Sequence, residues 1–288
     1  MPHSAGGLLD DMRRYGYDLT QMSASRTAVA AFTATYPVFR VEDFVAAHAD
    51  AGARSPSTSL TLLKRGVASG RYLHVRRGLY AVVPPGVAPE RAEVDPFLLA
   101  GAHTPDAVVA FHAALELHGR AYSTWSRLHV WTHRRSKPWM WRGVEILPVL
   151  DTAERAADPG TVTRPHAGGM VRVTTLERTL VDVLDQPDKG GGWEEILRSA
   201  AMIEFIDVDA VVADALARGR ALTAARVGWV LGLRREAWHV GEEVLAALRA
   251  RRPATPSYLD ASRTPGRLDP AWNLIVPAPL AGVTEDVP

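Results

Sequence analysis

The sequence predicts an α+β protein in two parts: three short helices closed by a β-hairpin, then a mixed α+β region with a small sheet and a helical bundle. Three observations predict it. Helix signals recur at Ser25–Thr35, Val41–Ala49 and about Ser57–Arg65, and period-2 alternation follows in "RYLHV" and "LYAVV". Charge is unevenly shared: residues 1–86 hold 10 Lys/Arg and 6 Asp/Glu, net +4, whereas residues 87–288 hold 23 and 26, net −3, in a chain of net +1. Past a Pro-rich stretch, strand candidates give way to a run of amphipathic helices.

Each element of the first part has a local cause. Residues 1–22 read as a flexible lead-in, with a short helix over Leu8–Tyr15. In Ser25–Thr35, Val29 and Phe32 face inward. Pro37 breaks the chain, and Val41–Ala49 follows with Phe44 and Val45 inward. "DAGARSPSTS" is a turn in which Ser55 suits the N-cap and Pro56 the first helical position. In the third helix Leu60, Leu63 and Val67 form an i, i+3, i+7 stripe, and Gly66 fits the position just past a helix end. "RRG" between the two strands is a hairpin signal. Helix, helix, helix, hairpin is the order of a winged helix-turn-helix, here over residues 23–86.

"LLKRGVASGRYLHVRRGLYAVVP", Leu62–Pro84, carries Lys64, Arg65, Arg71, His74, Arg76 and Arg77 and no acid. In such folds the third helix enters the major groove of DNA. Ser57, Thr58, Ser59 and Thr61 can then meet phosphate or base edges. Lys64 and Arg65 neutralise phosphate, and Arg65 can grip guanine with two donors. Arg76 and Arg77 at the hairpin tip reach along the backbone or into the minor groove, and Arg71 and His74 complete the DNA-binding set. The competing reading is a winged helix used for protein interaction, its charges merely solvated.

Residues 87–252 form the second domain, entered through the linker "PPGVAPERAEVDP". Pro105–His118 reads as a helix. Leu128–Thr132, Val144–Val149 and Val171–Val173 are strands. Thr175 caps a helix through Leu184 with Glu177 in its first turn. Trp193–Ala201, Asp207–Arg218, Thr223–Leu233 and Val240–Ala250 are further helices. Residues 253–288 hold 7 prolines and read as an extended or disordered tail, in which "AWNLIVPAPL" is apolar enough to dock on the body. Within the domain, Arg120–Gly143 is a second basic stretch interleaved with Tyr122, Trp125, Trp131, Trp139 and Trp141. Arg127, Arg134, Arg135 and Lys137 are its candidates for a partner or second nucleic-acid surface. The alternative is a strand pair with core tryptophans and solvated arginines.

Other chemistry is poorly represented. With no cysteine, disulfides, thiol catalysis and thiolate metal sites are excluded. The ten histidines include no H-E-x-x-H; His112 and His118 point apart at i, i+6, and His129 and His133 flank a strand end. There is no P-loop and no G-x-S-x-G, and "GGG" at Gly190–Gly192 reads as a turn. The expectation is no enzyme, no cofactor and no metal. The N-terminus does not read as a signal peptide, and no apolar run nears a membrane span of roughly 20 residues. A cytoplasmic protein is expected.

"LTLLKRGVASGRYLHVRRGLYAVV" resembles the N-terminal winged helix of the AbiEi family, antitoxins of type IV toxin–antitoxin systems. "VVAFHAALELHGRA" and "VRVTTLERTLVDVLDQPDKGGG" are similar to that family's C-terminal domain. The resemblance spans roughly Ser25–Leu248 and rests on the order of these motifs. It implies a bacterial phage-defence regulator that represses its own operon by binding double-stranded inverted repeats. It also implies a neighbouring nucleotidyltransferase-type toxin, and a protein that is monomeric in solution or dimeric on DNA. The implied DNA contacts fall on Thr58, Thr61, Lys64, Arg65, Arg76 and Arg77, and no catalytic residue is implied. An interaction protein whose basic and aromatic second domain binds a protein or RNA is the alternative.

Overall fold

The structure, a computed structural model, describes residues 19–50, 55–151 and 160–280. The chain divides into two compact units, residues 1–103 with 165–170, and residues 104–164 with 171–288. The expected helix over Leu8–Tyr15, and the lead-in as far as residue 18, lie outside the described residues, as do 51–54 of the expected turn.

The first unit opens with α1 (Leu19–Thr35), β1 (Val38–Arg40), α2 (Val41–Asp50) and α3 (Pro56–Ala68), followed by β2 (Tyr72–Arg76) and β3 (Leu79–Val82). β1, β3 and β2 form an antiparallel sheet in that order. This is a winged helix-turn-helix, with α2 and α3 as the turned pair and β2–β3 as the wing. Its core is aromatic: the Phe39 ring lies 5.6 Å from both Phe32 and Phe44 and 5.5 Å from Tyr72. Leu63 closes that core from α3, with Val29 and Val67 packed around it. α1 starts at Leu19 rather than Ser25 because neither Gly nor Pro interrupts Leu19–Thr35.

The third helix differs from its sequence reading in rotation and in length. Ser59, Leu63 and Gly66 face inward, whereas Leu60 is 40% exposed. Gly66 does not end the helix. It sits inside α3, where an added Cβ would run into the Tyr72 ring. The glycine that ends the helix is Gly70, whose φ of 71° L side chains avoid. Ser55 does take the N-cap with Pro56 behind it. Its hydroxyl, however, bonds the Ser57 and Thr58 hydroxyls rather than a helix N–H. Farther on, Asp95 caps α4 (Pro96–Gly101) by accepting from the Phe97 and Leu98 amides, a helix the linker reading missed.

The second unit is built on a six-stranded mixed sheet, of which only residues 165–170, where β8 turns into β9, are grouped with the first unit. Its strands are β4 (Val108–Ala110), β5 (Arg127–Thr132), β6 (Trp139–Trp141), β7 (Val144–Leu150), β8 (Thr161–His166) and β9 (Gly169–Thr174). They lie in the order β6-β7-β5-β4-β9-β8. The predicted helix over Pro105–His118 is instead strand β4 followed by the short helix α5 (Phe111–Leu117). Val108 and Val109 are β-branched and buried in mid-sheet, between antiparallel β5 and parallel β9, a setting that favours strand. Phe111, at φ 57°, makes the corner. β6 and β8 were not anticipated.

Helices α6 (Leu176–Asp185), α7 (Trp193–Ala201), α8 (Val208–Ala217), α9 (Ala221–Leu233) and α10 (Glu242–Arg249) follow close to their expected spans. Thr175 caps α6 by accepting from the Arg178 amide. Residues 257–277 form a small sheet of β10 (Ser257–Tyr258), β11 (Gly266–Asp269) and β12 (Leu274–Pro277). Trp272, Leu274 and Leu280 join the helical core there, so "AWNLIVPAPL" docks as its composition suggests.

The contact at Gly66 sets a testable limit. Ala is a better helix former than Gly by about 1 kcal/mol, but a methyl against the Tyr72 ring costs roughly 1–3 kcal/mol in overpacking. Gly66→Ala is expected to lower the unfolding midpoint of the winged helix. Gly232→Ala in α9, where nothing lies within 4 Å of the new Cβ, is expected to raise stability by up to about 1 kcal/mol. Chemical denaturation of both variants checks this, and stabilisation by Gly66→Ala would disprove the close packing.

Candidate nucleic-acid interface

The rotation of α3 decides what the helix presents. With Ser59, Leu63 and Gly66 inward, its outer surface carries Ser57, Thr58, Leu60, Thr61, Lys64 and Arg65, all exposed. Ser59, read from sequence as a DNA contact, is buried, and its hydroxyl lies 2.7 Å from His48 Nδ1. That bond ties α2 to α3, and a fully turned-in hydroxyl cannot meet DNA. The Thr61 hydroxyl donates to the Ser57 carbonyl at 2.9 Å, so it is committed to its own helix.

The wing continues directly from α3. The Arg71 amide bonds the Gly66 carbonyl at 2.9 Å, and Arg71 itself is exposed. His74 is exposed, with its ring 5.1 Å from Tyr80. At the turn, Arg77 is exposed, but Arg76 is half-buried and desolvation lowers its pKa. The Gly78 carbonyl accepts from the Val41 amide at 2.9 Å, which fastens the wing turn to the start of α2.

The electrostatics favour an anion. Among the described residues, Lys64, Arg65, Arg71 and Arg77 have no carboxylate within ion-pair distance. Arg40, by contrast, is held by Asp43 at 2.7 Å and Glu42 at 3.8 Å. Those two acids sit in the first turn of α2, where the helix dipole favours them. Exposed cations without acid neighbours on one helix and its adjoining hairpin are a footprint for phosphate.

In the second unit the basic stretch separates into parts. Trp131 is buried on β5, and its indole donates to Asp182 Oδ2 at 3.0 Å. Trp125 stacks on His112 with ring centres 4.6 Å apart. Arg127 pairs with Glu145 at 3.4 Å, and Arg134 lies 3.7 Å from Asp106. Arg135 and Lys137 are exposed and, among the described residues, make no ion pair. They precede β6, an edge strand whose Trp139 and Trp141 are half-buried.

The "TLERTLVDVLD" motif is internal. Arg178 reaches Asp151 at 3.3 Å, and Asp182 accepts from Arg218 at 2.7 Å. Arg218 also bonds Asp214 at 2.7 Å. Burial opposes the Arg218 charge, but Asp182 and Asp214 outweigh it and raise its pKa. The Thr223 hydroxyl donates to Asp185, closing the network from α9. Apart from Arg218–Asp214, at i, i+4, sequence spacing does not show these pairs, since their partners lie 27 to 38 residues apart.

His112 stands between two carboxylates, with Glu116 and Glu195 each 3.0 Å from one ring nitrogen. His118 bonds the Thr174 carbonyl, so the two histidines do point apart. Among the described residues no His, Asp and Glu side chains converge as for a metal ion. None of the described helices is long and apolar enough to cross a membrane.

No family model matches the chain, and no curated protein matches it. Among solved structures the chain is similar to the crystal structure of the RV2827C protein from Mycobacterium tuberculosis. The two superpose with a TM-score of 0.56 at 19% identity, over 91% of this chain and 95% of that one. At that identity the likeness is one of fold, and it extends through both units rather than the winged helix alone.

Buried imidazoles make this fold sensitive to acid. Burial pushes His48 below its ordinary pKa of about 6.5. Burial, then Lys189 and Arg127, push His129 down to about 4. Both stay neutral in the fold while the unfolded chain takes up protons as pH falls through about 6.5, so stability is full above that pH and declines below it. His129 alone is expected to account for roughly 3 kcal/mol by about pH 4. Thermal unfolding across a pH series tests this, and a midpoint unchanged between about pH 7 and about pH 5 would show that the rings are hydrated.

Proposed function

We propose that the protein is a duplex-DNA-binding autorepressor and antitoxin of the AbiEi type. It binds inverted repeats upstream of its own operon and counters a nucleotidyltransferase-type toxin encoded beside it. The observation that carries the DNA-binding part is the exposed basic surface of α3 and the wing, Lys64, Arg65, Arg71 and Arg77, in a chain that is otherwise charge-balanced. The antitoxin part rests on the resemblance of the motifs around Val108–Ala121 and Val171–Gly192. The test is binding to the upstream DNA across a salt series, against scrambled duplex. Specific binding is expected to exceed scrambled by at least about a thousandfold. Neutralising Lys64, Arg65 or Arg77 to Gln is expected to lower the salt slope by about one each. Binding no tighter than to scrambled DNA would sink the repressor reading. Co-expression with the neighbouring toxin, with and without this protein, tests the antitoxin part by growth.

A second reading is favoured by one observation: Arg135 and Lys137 stand exposed beside the half-buried indoles of edge strand β6. Basic side chains next to aromatic rings suit single-stranded nucleic acid, which offers phosphate and stacking faces together. In this reading Arg135→Glu with Lys137→Glu weakens binding of a labelled single-stranded RNA at least about tenfold and leaves operator binding unchanged. If RNA affinity stays the same, the loop is only a solvated surface.

A further inference from the structure

α3 carries one exposed large apolar side chain, Leu60. It is 40% exposed on the flank of the outer face, between partly buried Val67 and exposed Lys64. On a 3.6-residue helix it neighbours Ser57 at i−3 and Lys64 at i+4, and Thr61 is the next residue, about 100° farther round toward the centre of the exposed face. The Thr61 hydroxyl is bonded to the Ser57 carbonyl, so its remaining substituent is a methyl group. Leu60 is not part of the winged-helix core cluster around Phe39, Phe44, Leu63 and Tyr72. The inward positions belong to Ser59 and Leu63, which are 1% and 2% exposed.

We propose that Leu60 reads the C5-methyl group of thymine in the major groove, and that the methyl of Thr61, the next residue of the exposed face, adds to that contact. This rests on the winged-helix DNA-binding reading and sharpens it. Of the groups the major groove displays, the thymine methyl alone is apolar, and apolar side chains contact it. Lys64 and Arg65, one turn farther along α3, hold the phosphates that bring the helix to that depth. The operator half-site thus contains a thymine opposite the first half of α3, and Leu60 is a specificity-determining residue.

The experiment begins with selection of bound sequences from a random duplex library by the full chain. Each thymine of the selected site is then replaced in turn by deoxyuridine, which differs only in lacking the methyl. One thymine per half-site is expected to be sensitive, with a loss of about fourfold for one buried methyl. Leu60→Ala is expected to weaken the unmodified site by a similar factor and to abolish the response to deoxyuridine there. Thr61→Ser, which keeps the hydroxyl, reports the share of the second methyl. Because Leu60 is exposed, its truncation leaves the core intact, and a far-ultraviolet spectrum checks that. A selected site that binds tightly but ignores deoxyuridine overturns the inference and leaves the DNA-binding reading standing. So does a Leu60→Ala protein that responds to deoxyuridine as the parent does. A library that yields no preferred sequence overturns both.

Discussion

The winged helix depends on the approach of α3 to strand β2 at Gly66. The Tyr72 ring lies so close that no side chain fits at position 66. That contact brings the Arg71 amide onto the Gly66 carbonyl and sets the rotation of α3 about its axis. Once Gly66 faces the sheet, Ser59 and Leu63 must face inward with it, at i−7 and i−3. The opposite surface, with Ser57, Thr61, Lys64 and Arg65, is presented as a consequence. A single absent Cβ therefore organises both the core and the candidate DNA-binding face.

The same logic explains why a polar pair sits in this core. Ser59 occupies an inward position on α3, and a buried hydroxyl needs a partner. His48, inward on α2, supplies it at 2.7 Å. The two helices are thereby linked by one hydrogen bond amid the aromatic packing of Phe44 and Tyr72. The bond contributes modestly in itself, but leaving either group unpaired would cost more than the bond gains. It favours one relative placement of α2 and α3.

In the second unit the corresponding constraint is electrostatic. Asp182 is fully buried on α6 and is satisfied by Arg218 and by the Trp131 indole. Sheet, α6 and the end of α8 thus converge on one carboxylate. Buried charges of this kind add little net stability when complete, but they penalise any arrangement that leaves one unpaired. The basic and aromatic residues of Arg120–Gly143 divide accordingly. Trp131 belongs to this interior, whereas Arg135 and Lys137 stay in solvent.

The sequence by itself determined the order of elements in the winged helix, the helices after Thr175 and the clustering of cations in the first unit. Those are local properties: periodicity, caps at Ser55 and Thr175, and composition are all written within a few residues of where they act. Tertiary structure decided the rest. Whether Val108–Ala110 is strand or helix turned on two neighbouring strands that arrive from residues 127–132 and 169–174. Whether Leu60 or Ser59 faces the core turned on Tyr72, which follows the end of α3, and on His48, which precedes its start. An apolar stripe at i, i+3, i+7 and one shifted by a residue are close alternatives in sequence. Only the ring that Gly66 admits, and the imidazole that Ser59 must meet, separate them.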